Sequence, residues 1–131
     1  GWSWVGGDVL GEYTLRLYLE QRLDQPEAES AAAGWGGDRY AVYQGAESGG
    51  IALVMRIVWD ADGEAAEFVD AYNAFGGARF GVQPETTATS TCWEGDDAIC
   101  LFRTGRETLL VRAPDLALVR QVASAFPDLI P

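Results

Sequence analysis

A chain of 131 residues is one domain's length, and at that size folding buries roughly two-thirds of the surface that the unfolded chain exposes. Hydrophobic residues make up 48% of it, with five Trp, five Tyr and five Phe, so a packed core is within reach and a disordered chain is excluded. Twenty Asp and Glu against nine Arg, with no His, give a net charge of −11, a field that repels phosphate backbones and anionic headgroups and argues against a nucleic-acid partner.

In chain order, Asp8 to Leu23 shows both a strand-like alternation and two helical faces; its length and its Leu, Glu, Gln and Arg favour a helix. Asp24-Gln25-Pro26-Glu27 has the capping Asp, early Pro and first-turn acid of a second, short helix that runs through Ala31 to Ala33. In the following GWGGDRYAVY, Gly34 is expected to stop that helix in a left-handed conformation, and Gly36 and Gly37 to turn the chain. A strand then begins over Arg39 to Tyr43, with Trp35 plugging the junction. Three glycines and an aromatic also suggest a ligand-gripping loop, but the residues of a phosphate-binding motif are missing.

Ser48-Gly49-Gly50 reads as a turn, and Ile51 to Trp59 as a central strand, apolar on both faces except at Arg56. Asp60 to Gly76 is the clearest helix, with Ala65, Phe68, Tyr72 and Phe75 on one stripe. Residues 77–91 read as a loop with a short edge strand at Arg79 to Val82. Three strands near Thr89 to Glu94, Ala98 to Arg103 and Thr108 to Arg112 follow on short connections, and Pro114-Asp115 opens a last helix. In that helix Leu116, Val119, Val122, Ala123 and Phe126 point inward until Pro127 ends it. The predicted architecture is α+β, an antiparallel sheet of about five strands with helices packed on it, in a single domain.

Cys92 and Cys100 flank Asp96 symmetrically. A three-residue loop at Gly95-Asp96-Asp97 sets the two cysteines opposite each other, close enough for a disulfide worth roughly 2.5 kcal/mol by chain entropy. Two reduced, buried thiols are the alternative. A metal site is remote, because zinc wants more Cys or His. A disulfide favours an extracytoplasmic location. The longest apolar runs fall far short of the ~20 residues that a membrane helix needs, so no membrane span is expected. The start at Gly1, with no basic and then apolar leader, reads as a processed product or a piece of something longer.

Chemistry is scarce. Without His or Lys the usual general-base and Schiff-base routes are missing, and no Ser lies in a nucleophile-elbow sequence. Asp60-Ala61-Asp62-Gly63-Glu64 invites a calcium loop, but the twelfth position counted from Asp60 is Ala71, so Asp60 or Asp62 is expected to cap the helix instead. Glu94, Asp96 and Asp97 at the hairpin tip suggest a solvated turn, or else a carboxylate pair of the kind that glycoside hydrolysis uses. No cofactor is expected.

The segments LGEYTLRLYLEQ, AAAGWGGDRYAVYQ and VWDADGEAAEFVDAY resemble the C-terminal portion of uncharacterised secreted or lipid-anchored bacterial and archaeal proteins with an upstream zincin-like region. The zinc-binding His-Glu-x-x-His motif of such peptidases is absent here, so no catalytic residue carries over. The resemblance implies a noncatalytic accessory domain that packs on its parent chain or on another protein, with a homodimer also open. Trp2, Trp4 and Trp35 are the candidate contact aromatics. The alternative is a small-ligand pocket between sheet and helix in which Arg56 or Arg103 meets an anionic group, with Arg39 of the glycine-rich segment as a further binding candidate.

Overall fold

The computed structural model describes residues 2–45 and 50–125. In chain order, β1 (Trp2–Asp8) leads into α1 (Glu12–Leu19) and α2 (Gln25–Ala32), then β2 (Trp35–Gly45), β3 (Ile51–Trp59) and α3 (Asp62–Phe80). The chain continues through β4 (Glu85–Thr86), β5 (Ser90–Glu94), β6 (Ala98–Thr104), β7 (Glu107–Ala113) and α4 (Leu116–Ala123). Among the described residues one sheet of seven strands runs in the order β1-β2-β3-β7-β6-β5-β4, antiparallel throughout. The fold is α+β, and the two strands beyond the expected five are the outermost ones, β1 and the two-residue β4.

β3 shows how the layers form, because successive side chains of a strand point to opposite faces. Met55, Ile57 and Trp59 join Phe68, Tyr72 and Phe75 of α3 and Leu15 and Leu19 of α1 in the larger core. Ala52 and Val54 face the other way, into a smaller core that Val119 and Ala123 of α4 close. Apolar residues at both parities of one strand therefore signal helices on both sides of the sheet.

Several expectations need correction. β1 was not foreseen: its Trp-Ser-Trp-Val-Gly-Gly-Asp lacks alternation because most of it is exposed, and it exists only by pairing with β2. Gly7 belongs there because a Cβ would lie 2.5 Å from the Tyr40 carbonyl oxygen. The first helix is shorter than Asp8 to Leu23, since Gly11, at φ 87°, holds the backbone outside the helical region just before it. Gly34 is not left-handed; it is bare because a Cβ would collide with the Glu64 side chain. Gly36 and Gly37 do not turn the chain but lie inside β2, at a bulge after Trp35.

The third helix runs on through Phe80, so the strand expected at Arg79 to Val82 is absent and the edge strand is β4 instead. Gly76 resembles a helix terminator, yet its backbone lies against the Trp93 indole, where a Cβ would collide, and the helix ends at Gly81 with φ 66°. Neither Asp60 nor Asp62 caps this helix; Ala61 is the N-cap, without a side-chain bond, while Asp62 and Glu64 occupy the first turn, where their negative charge interacts favourably with the helix dipole. The expected turn residues Ser48 and Gly49, and Phe126 and Pro127 of the last helix, lie outside the described residues. Asp24 and Asp115 do cap, each accepting from the backbone N–H three residues on, at 2.9 Å.

Candidate functional site

The β5–β6 hairpin has the predicted register, Cys92 opposite Cys100, Trp93 opposite Ile99 and Glu94 opposite Ala98. The two cysteines are joined, with Cα atoms 4.1 Å apart. The tip is a solvated turn at Asp96, as expected, but the other two acids also hold bonds. Glu94 accepts from the Leu116 backbone N–H at 2.9 Å and so ties the hairpin to the start of α4. Asp97 accepts two bonds from Arg79, at 3.0 and 2.9 Å, and one from the Arg112 Nε at 2.6 Å.

Burial alone would raise the Asp97 pKa, but the hydrogen bonds from Arg79 and the nearby Arg112 charge outweigh it and hold the carboxyl below its ordinary value. This is the reverse of what a general acid needs. A group with a depressed folded-state pKa contributes stability above the unfolded-state pKa and loses it as pH falls through the folded-state value. Asp97→Asn is therefore expected to be less stable than the parent at neutral pH, with a gap that closes on acidification below the ordinary aspartate pKa of 3.8. Urea titrations across that range check it, and a gap of constant size would count against the assignment.

Of the predicted binding residues, Arg39 and Arg56 come together, while Trp35 and Arg103 lie elsewhere. Trp35 packs on the larger core and donates its indole N–H to Asp38 at 3.1 Å, so it plugs the junction as expected. Arg103 binds the carbonyls of Gly105 and Asp62, both at 3.0 Å, which fastens the β6–β7 turn to α3. Arg56 is not at the end of a pocket under a helix; it lies on the α4 side of the sheet, exposed, in a bidentate pair with Glu107 at 3.0 and 2.9 Å. Arg39 stands directly across from Arg56 on β2 and makes no ion pair among the described residues.

Those two arginines share an uncovered surface. Among the described residues α4 packs over β5, β6 and β7, while the same face carries exposed or half-exposed side chains on β1 and β2 and, at Arg56, on β3. Trp4, 65% exposed, stands there opposite the half-buried Tyr43, and with Arg39, Arg56 and Val54 it lines a hollow of about 350 Å³. Trp2 packs against the margin of the smaller core instead.

The other face holds a cleft of about 340 Å³ between α1 and the sheet, with Leu10 and Tyr18 on the helix side and Leu53, Met55 and Leu110 on the floor. Its helix wall is anchored from far along the chain: the Asp38 carboxylate accepts the N–H groups of Leu10 at 2.8 Å and Gly11 at 2.9 Å. Tyr18 and Tyr72 share a hydroxyl–hydroxyl bond of 2.8 Å, in which one donates and the other accepts, and burial raises both phenol pKa values, Tyr72 the more, so both stay neutral at ordinary pH. Arg112 completes the lining. Sequence reasoning flagged Arg56 as a charge inside an apolar strand and missed Arg112 and Asp38; the same signal was present at Arg112, at the end of Leu109-Leu110-Val111.

Among the described residues no helix is long and apolar enough to cross a membrane. Residues 4–123 match a family described as "Domain of unknown function (DUF8575)", and the chain belongs to that family. No curated protein and no solved structure matches it.

Proposed function

We propose that this family member is a noncatalytic binding module that works outside the cytoplasm. In this reading it is an accessory part of a larger secreted or lipid-anchored protein, and it presents the open face around Trp4 to a protein domain. The observation that carries the reading is the half-covered sheet: a large indole stands in solvent beside two arginines, in a chain whose overall charge is −11. An exposed Trp beside a guanidinium is the composition of an interface anchor, and Arg39, which makes no ion pair among the described residues although Asp8 also lines the hollow, fits a partner that offers a carboxylate next to apolar side chains. The disulfide is compatible with an oxidising compartment. The carboxylates best placed for chemistry, Glu94 and Asp97, already hold structural bonds.

A homodimer through the same region is a second reading, favoured by β1, whose outer edge has no neighbouring strand among the described residues. The bulge between Trp4 and Gly6 works against it, since a kinked edge pairs poorly with another strand. Hydroxyl-radical footprinting separates the possibilities. Trp4 and Tyr43 are expected to be oxidised severalfold less in the intact parent protein than in the isolated domain. Equal labelling in both would end the proposal, and concentration-dependent protection of the isolated domain would replace it with self-association.

A further inference from the structure

We propose that the cleft between α1 and the sheet binds a single-chain amphiphile with a carboxylate head, its apolar chain along Leu53, Met55 and Leu110 and its head on Arg112. This goes beyond the protein-docking role of the opposite face, and of the residues lining the two hollows they share Tyr40. The volume of about 340 Å³ lies at the small end of the range for ligand sites, about 300–1,000 Å³. Its floor is the exposed flank of the larger core, where Leu10 and Leu53 are only partly buried. The tyrosines Tyr18 and Tyr40 also line it, so the walls are apolar with a few hydroxyls, the usual composition of a site for a mostly apolar ligand.

Charge at one end sets the head group. Arg79 and Arg112 share the single carboxylate of Asp97, which leaves one positive charge over at a place where the rest of the molecule is strongly acidic. Donors are also left over. Asp97 engages only the Nε of Arg112, whose two Nη groups make no hydrogen bond among the described residues, and the side chain is 52% exposed. Beside it the Nη1 of Arg79 is buried without a partner. A buried unpaired donor is costly, and a guanidinium with a free fork matches a carboxylate in bidentate geometry. One surplus charge fits a monoanion better than a doubly charged phosphate, and the adjoining apolar walls fit a chain better than a free inorganic ion.

The test uses dodecanoate, kept below its aggregation concentration, titrated calorimetrically into the protein at neutral pH, with dodecyltrimethylammonium as the control of opposite charge. Dodecanoate is expected to bind, and the cationic amphiphile to bind at least about tenfold more weakly, as the loss of a charge-assisted pair implies. Arg112→Gln should weaken dodecanoate by about the same factor, and Arg112→Lys should restore part of the affinity. Thr14 is exposed at the rim of the cleft, so Thr14→Trp should narrow the entrance and abolish binding without disturbing the core. Equal binding of the two amphiphiles, no binding of dodecanoate, or full affinity in folded Arg112→Gln would each overturn the assignment. Should Arg112→Gln fail to fold, the Thr14→Trp result decides, and unchanged affinity there has the same consequence.

Discussion

Trp59→Ala is expected to lower unfolding stability by about 3–5 kcal/mol, the usual cost of truncating a fully buried Trp. The side chain is 1% exposed at the end of β3, with its ring centroid 4.7 Å from that of Phe68 on α3, so the indole joins the sheet to its main helix. Among the described residues it is also the only hydrogen-bond partner of a buried hydroxyl: its N–H donates to the Thr108 Oγ1 at 3.0 Å, and Thr108 is itself buried. Alanine leaves both a cavity and an unpaired polar group, and the second adds about 1–3 kcal/mol to the first where no water enters. Against a total stability on the order of 5–15 kcal/mol for a domain, this is a large fraction. A urea titration should show a lower midpoint with an unchanged slope, since the surface exposed on unfolding is nearly the same. Trp59→Phe separates the two contributions, because it keeps most of the packing and loses only the hydrogen bond. A loss below about 1 kcal/mol in Trp59→Ala would mean that the indole does not join the layers as described.

Joint replacement of Cys92 and Cys100 by alanine is expected to cost about 2–4 kcal/mol. The sulfurs close a loop of sequence separation 8, for which the chain-entropy model gives about 2.5 kcal/mol, and the rest comes from lost packing in the smaller core. Alanine is chosen over serine because Cys100 is wholly buried and a hydroxyl there has no partner waiting. The burial has a kinetic consequence as well. A thiol reductant should leave the folded protein intact and cut the bond only when denaturant opens the hairpin, which quantitation of free thiols with and without urea measures. Rapid reduction of the native protein, or an alanine pair as stable as the parent, would show that the bridge contributes little.

The parts of the fold that were legible in the sequence share one property: the residues that define them are close together in the chain. The strand Ile51 to Trp59, the register that sets Cys92 against Cys100, and the caps at Asp24 and Asp115 follow from alternation, a three-residue loop and a side chain reaching three residues on. The extra length of α3 was hidden because Gly76, which usually marks a helix end, is there to admit the Trp93 ring from a distant strand. The candidate sites were hidden for the same reason. Arg56 and Arg112 looked alike as charges in or beside apolar strands, and opposite strand parity, with different partners, sent one to an exposed pair with Glu107 and the other to a shared carboxylate beside a cleft.

Composition and local order by themselves determined that this chain folds as an α+β domain, carries a cross-strand disulfide and has no imidazole or primary side-chain amine with which to do the commonest catalysis. Tertiary structure alone decided that Trp2–Asp8 is a strand, that Asp38 holds the start of α1 from 27 residues away, and that Asp97 sits between two guanidiniums. Periodicity, capping and turn chemistry act over a few residues and leave their mark in neighbouring letters. Edge pairing, close packing at a bare glycine and the sharing of one carboxylate are set by which surfaces meet after the chain has closed loops of tens of residues, and no short stretch records them.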